Sequence, residues 1–566
     1  MAQKNNQDQQ VFYVGLCMAG AVSAGAYTAG VMDYLLEALT KWEQHRGEAG
    51  VPTHKVQIPV MGGASAGGMT SIMAASALNN PITPIDKPSA DILAEHPENK
   101  LYHSWVDLIQ ADMFSKMLDT SDIKKDGVIS ALNSDFINDI AKRVVSADAS
   151  KWQPLPPYIK PGLKLFTTLT NLQGFAYNVP FKANSPTPTK YNMRIHNDYA
   201  CFELTETEIK GHNNGWMPLN LKSNINTDVA ADAAMATGAF PVGLQSRTLK
   251  RDPIYVNNNP WLKDYLAKTE VTGDENGTYQ TLNVDGGMIN NEPFDRVRSV
   301  LDDITGQPSD DYNNFNKFIS TVLMIEPFPT QPPKPIEMSR VLSNVIGLTL
   351  SSMLSQMRSK PVNIKDAMDD NCAGQYLITP SRRVDLPNGE SSDLTGEQAI
   401  ACGALSGFSG FLNKEFRVHD YFLGRHNCKI FLRDYFTIPA KALDTNPIFK
   451  DGYAGADKDR FKSQAPRKDG EEDSYQIIPV FEDEIKFPDI KFSSGTNWPT
   501  LKEKDIDRFE GGLKDRFQTI ILSVADFGWL TKSLLWIGAK VILNRMITNK
   551  IMVVIKNELK TWKLLP

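Results

Sequence analysis

Residues 63–67 read Gly-Ala-Ser-Ala-Gly, straight after the apolar run at 56–61. A lone serine between small residues fits a nucleophile elbow. In that strained strand-to-helix turn the hydroxyl stands exposed and larger neighbours would clash. The same letters also suit a turn that packs a helix closely on a sheet. A serine hydroxyl is a weak nucleophile until a base takes its proton. Acyl transfer further needs donors aimed at the developing oxyanion. Two other stretches carry suitable groups. Asp285-Gly286-Gly287 places a carboxylate beside glycines that permit close backbone approach, or simply caps a turn. Residues 18–27, "MAGAVSAGAY", form a small-residue loop whose N–H groups would open a helix at the positive end of its dipole.

The elements around these stretches read as alternating strand and helix. Residues 11–20 are a short apolar run of the kind buried on both faces of a parallel sheet, and 24–42 carry helical spacing. Residues 54–64 predict a second strand and 66–78 a small-residue helix. Helices are expected at 104–118, 130–145, 227–241 and 337–359, and strands at 163–174, 280–288, 318–328 and 374–381. The pattern predicts an α/β domain with a mostly parallel sheet. Such sheets bind ligands at the carboxyl ends of their strands, where all three chemical stretches should lie.

In that order the chain resembles the patatin-like phospholipases. The family shows a glycine-rich oxyanion loop after its first strand, a GxSxG elbow after its second, and a later D-G-[GA] aspartate. "GAYTAGVMDYL" and "AMATGAFP" (234–241) are similar to family sequence as well. The resemblance implies a three-layer sandwich and a Ser–Asp dyad with no histidine. Ser65 matches the nucleophile and Asp285 the base. Gly20, Ala21 and Val22, helped by Ala66, would supply the oxyanion donors. Gly63, Gly67, Gly286 and Gly287 would shape the two turns. No metal or cofactor is implied. The loop departs from the family pattern: Gly20-Ala21-Val22-Ser23-Ala24-Gly25 carries side chains where two glycines are usual, and Ala24 where a basic residue is usual. The 220 residues between Ser65 and Asp285 (285 − 65) exceed a minimal domain, so 79–162 and 245–280 read as insertions, one of them a lid.

Ser65, Asp285 and His419 also stand in the chain order of an α/β-hydrolase triad. Only two strands precede Ser65, however, earlier than that fold places its nucleophile. His419 and His426 belong to an aromatic, arginine-containing stretch, "FRVHDYFLGRHN", that reads as packing. No ligand cluster beside them suggests a metal.

A net charge of −6 argues against general nucleic-acid binding. Five scattered cysteines suit reduced thiols, and with a polar start lacking an apolar leader they predict a cytoplasmic protein. The expected organisation is a polar tail (1–10), a patatin-like domain (11–385), and a mainly helical accessory region (386–566). Residues 531–566 hold seven basic side chains and one acid. In 547–563, Ile547, Ile551, Val554, Ile555, Leu559 and Trp562 share a helical face opposite Lys556, Lys560 and Lys563. The pattern predicts either an interfacial helix on an anionic membrane or a helix docked on the protein's own core. The expected activity is lipid or phospholipid acyl hydrolysis at a membrane surface. The rivals are a patatin-fold binding or assembly protein and an acyltransferase.

Overall fold

Strand β3 (Ile159–Phe181) organises the central sheet. Its early residues run parallel to β2 (Lys55–Gly63), which lies parallel to β1 (Val11–Met18). β8 (Ser320–Ile325) and β9 (Gln375–Ile378) extend the parallel side. On the other side β3 pairs antiparallel with β4 (Thr189–Leu204), which pairs with β5 (Met217–Leu219). β7 (Tyr279–Asp285) joins β3 antiparallel and carries β6 (Arg247–Arg251) on its outer edge. The result is a nine-stranded mixed sheet, parallel through its centre. The computed structural model describes residues 11–566 except 82, 90, 108–112, 125–126, 147, 182–188, 208–213, 309–310, 330–339, 359–373, 386–388, 467–469, 483–497 and 525–546. The expected tail 1–10, the basic residues Lys532, Lys540 and Arg545, and Cys372 lie outside the described residues.

Helices α1 (Gly25–His45), α2 (Ser65–Ala77), α3 (Phe136–Val145) and α4 (Thr227–Thr237) share one hydrophobic cluster with one face of the sheet. Helix α5 (Phe294–Thr305) packs Val297, Val300 and Leu301 on the other face. These are the three expected layers. Helix α6 (Leu342–Arg358) follows β8, α7 (Lys414–Asp434) and α8 (Phe509–Val524) lie in the last third, and helix α9 spans 547–561.

The core continues across residue 386, because α7 packs along α1. Their backbones nearly touch: a Cβ on Gly30 would fall 1.9 Å from the Tyr421 carbonyl oxygen, and one on Gly424 2.2 Å from that of Tyr27. The buried Arg425 guanidinium spans Asp33 and Glu37 of α1, 2.6 Å from Glu37. Residues 397–412, in the region expected to be mainly helical, form a chain of short 3₁₀ turns. Their three glycines, Gly403, Gly407 and Gly410, disfavour helical propagation.

Helix α9 is the docked one of the two expected forms. Met552, Ile555 and Leu559 are buried, as are Leu564 and Leu565 beyond it, while Val554 is 62% exposed. The buried face is the expected apolar face shifted to take in Met552 and leave out Val554, with Ile551 and Trp562 half-buried against the core. The lysines are held within the protein: Lys556 lies 2.6 Å from Asp507, and Lys560 2.8 Å from Glu503. No helix among the described residues is long and apolar enough to cross a membrane.

Candidate active site

Strand β2 ends with Gly63 opposite Thr167, and β7 ends with Asp285 opposite Leu169. The two strands thus approach head to head along one side of β3. Asp285 lies at the carboxyl end of its strand, as expected, but that strand runs antiparallel to β3. The chain leaves β2 through the elbow, with Ser65 at φ +50°, and enters α2 directly. The glycines explain the tightness of the turn. A Cβ on Gly67 would lie 2.1 Å from the Met18 carbonyl oxygen, and one on Gly63 2.4 Å from the same atom. The elbow therefore rests on the last peptide of β1.

Ser65 Oγ donates to Asp285 Oδ2 at 2.6 Å. The other carboxylate oxygen accepts from the Gly287 N–H at 2.7 Å. The backbone around Asp285 is fixed twice: its N–H donates to Ala239 O, and its carbonyl accepts from Thr170 Oγ1, both at 2.9 Å. Gly286 is required because a Cβ there would meet Thr168 O at 2.1 Å. Both side chains are largely buried, Ser65 being 7% and Asp285 6% exposed. Burial pushes the thiols of Cys201, Cys402 and Cys428 up, so they stay protonated.

The loop after β1 lies against the serine. A Cβ on Gly20 would fall 2.9 Å from Ser65 Cβ and 2.4 Å from Asn291 Oδ1. Among the described residues, the Gly20 and Ala21 N–H groups donate to no other backbone carbonyl. Val22 sits at φ +49°, a left-handed conformation that strains a β-branched residue. The fold keeps the glycine-type turn although the glycine is gone. Ser23 anchors it, donating to Gly407 O and accepting from the Gly410 N–H at 3.1 Å. Ala66 lies in the first turn of α2, where backbone N–H groups have no partner within the helix.

An almost wholly apolar pocket rises from Ser65 and Asp285. Met69, Met73, Phe240 and Leu244 line it, with Trp105, Met117, Phe136, Ile137 and Ile140 from the 79–162 stretch. That stretch lines the pocket beside Ser65. Arg516 of α8 pins it in place, pairing with Asp122 at 2.8 Å and donating to Ala131 O at 2.9 Å. Phe411, from the last third of the chain, completes the wall. The 245–280 stretch carries β6, which pairs with β7.

His419 is elsewhere engaged. Its Nδ1 lies 2.8 Å from Asp420 and its ring meets Trp498 edge-on. Asp420 in turn accepts from the N–H groups of Ala401 and Cys402, so this pair supports the 3₁₀ turns. Among the described residues no group of three His, Cys, Asp or Glu side chains is placed to hold a metal ion. Sequence reading missed Thr237, whose Oγ1 accepts the Ser65 N–H at 2.9 Å. It also missed Trp105 and Phe411. Thr237 was visible within "AMATGAFP"; the two aromatics carried no local signal.

The family model of the patatin-like phospholipases matches residues 16–298, half of the chain. The chain belongs to the patatin-like phospholipase family. The matched span holds the loop, the elbow and the aspartate of this family member, and stops before Phe411 and α7. A relative, the uncharacterized protein y4iI of Sinorhizobium fredii, is 29% identical over 479 residues. That match covers 75% of this chain and 65% of the relative, so it reaches beyond the residues of the family model.

Proposed function

We propose that this patatin-like protein hydrolyses acyl esters of lipids through Ser65 and Asp285. The observation that carries the reading is the 2.6 Å contact between Ser65 Oγ and Asp285 Oδ2 at the floor of an apolar pocket. Ser65 Oγ attacks the ester carbonyl as Asp285 takes its proton. The N–H groups of Gly20, Ala21, Val22 and Ala66 receive the oxyanion, the last at the positive end of α2. Asp285 returns the proton to the departing alcohol. Water, losing a proton to Asp285, then attacks the acyl-serine, and Ser65 recovers its hydrogen. The acyl chain lies among Met69, Met73, Phe136 and Ile140. The 79–162 insertion is its lid, and residues 386–566 brace the 11–385 domain rather than work alone. The protein acts from a reducing, cytoplasmic side and meets membranes peripherally.

One observation favours the rival of a binding protein with weak hydrolysis: Val22 puts a strained isopropyl group on the pocket wall, in the oxyanion turn. A fluorophosphonate probe separates the two. Labelling of the full chain that is lost in Ser65→Ala supports the enzyme. A folded wild-type chain that takes no label and cleaves no short-chain ester refutes it. Product analysis with an added alcohol then separates hydrolysis from acyl transfer.

A further inference from the structure

Helix α6 leaves a broad apolar surface in solvent. Val341, Leu342, Val345, Leu348, Met353 and Met357 are between 37% and 74% exposed. No charged residue stands between Arg340 and Arg358; the other residues of that stretch are Ser, Thr, Asn, Gln, Gly, Leu and Ile. Soluble proteins seldom expose so much contiguous apolar surface unless something covers it. The helix packs against the turn Gly286–Met288, which begins one residue after Asp285. Other exposed apolar side chains belong to the same end of the molecule. Phe240, on the pocket wall, is 44% exposed, and Val242 is 83% exposed.

We infer that α6 is the lipid-docking element of this protein, seated in the boundary layer of a membrane or droplet by apolar insertion and indifferent to headgroup charge. The inference rests on the hydrolase reading above and names the surface that reading needs. An ester held in a lipid layer must reach Ser65 from the rim of the pocket, and α6 borders the turn that carries Asp285. A second copy seated on α6 would cover that same corner. Between Arg340 and Arg358 the uncharged polar side chains give anionic headgroups nothing to attract, so binding comes chiefly from buried apolar area. Helix α9 offers no such surface: its apolar face is buried and two of its lysines are ion-paired.

The test uses the full chain with vesicles of neutral phosphatidylcholine, small and loosely packed or large and tightly packed, at low and high salt. Docking by α6 predicts binding to the small neutral vesicles that salt does not weaken. Leu342→Asp with Met353→Asp, both at exposed positions, should lower that affinity roughly 100-fold, since two apolar side chains no longer enter lipid. The uncharged pair Leu342→Gln with Met353→Gln should also weaken it, and its unchanged melting temperature would show that the fold is intact. Equal binding by wild type and variants overturns the inference. So does binding that requires anionic lipid and disappears in salt. A wild-type dimer that the variants split, with no vesicle binding, would make this face a contact between copies and overturn it as well. Binding is read without turnover, so the two readings fail separately. A chain that docks but is never labelled at Ser65 sinks the hydrolase reading alone, and one labelled at Ser65 that ignores neutral vesicles sinks this inference alone.

Discussion

The Ser65 hydroxyl and the Asp285 carboxylate lie 2.6 Å apart although 220 residues separate them in the chain. The contact follows from two strands ending head to head on β3, at Thr167 and Leu169. Each strand closes in a glycine turn, so neither backbone obstructs the other.

Ser65→Ala should remove probe labelling and lower turnover of a soluble short-chain ester by about 10⁴-fold or more. The fold should survive, since the change deletes one oxygen from a turn already built of alanine and glycine. Asp285→Asn keeps the shape but cannot accept the proton, and should cost about 10²–10⁴-fold. His419→Ala, if it folds, should keep its turnover. Loss equal to that of Asp285→Asn would restore the histidine triad.

Gly67→Ala tests the elbow's contact with β1. The added Cβ would lie 2.1 Å from Met18 O, a backbone atom that cannot swing aside. Thermal or urea unfolding should show a loss of about 1–3 kcal/mol, and esterase turnover should fall with it. An unchanged midpoint would show that the turn opens more easily than its geometry indicates.

Acid should weaken the fold through buried histidines. Burial holds the His54 pKa down at about 4, against the upward pull of its 2.8 Å hydrogen bond with Ile477 O. Burial, with Lys429 and Arg433 nearby, does the same to His426. An unfolded histidine titrates near 6.5. Between about pH 6.5 and 4 the unfolded chain therefore binds protons that the folded chain refuses, and stability falls as pH is lowered through that window. The loss is on the order of 3 kcal/mol for the fully buried His54, and less for the partly exposed His426. Urea midpoints at pH 7 and 4.5 measure it. His54→Gln should be less stable at pH 7, having lost its ring contacts with Trp42 and Phe449, yet show a shallower acid slope. An unchanged slope would rule His54 out as a source.

Deleting residues 545–566 should unfold or precipitate the protein. Met552, Ile555, Leu559, Leu564 and Leu565 are buried, and each such side chain contributes about 1.5–3 kcal/mol. Their sum is comparable to the whole stability of a typical domain. The Leu501 N–H would also lose Leu564 O, which it meets at 2.8 Å. A soluble, cooperatively folded truncation would show that this helix is peripheral after all.

The sequence by itself determined the α/β class, the elbow, the aspartate turn and the order of the main strands. Those features are local: glycine at a strained turn, apolar runs for buried strands, 3.6-residue spacing for helices. Ser65 and Asp285 were legible because close backbone approach demands small neighbours, which leave a mark in the letters. What the tertiary structure decided was every relation between distant segments. The antiparallel entry of β7, the pinning of the 79–162 stretch by Arg516 and the support of the Val22 turn by residues 407–410 all depend on contacts that no short stretch encodes. The two apolar helices show the reason most plainly. Both α6 and α9 carry apolar residues, and the sequence left α9 either on lipid or docked on the core because its lysines completed an amphipathic pattern. An amphipathic pattern says that a face must be covered, not by what. Leu501 and the acids Glu503 and Asp507 cover and pair α9, whereas the described apolar side chains of α6 remain in solvent.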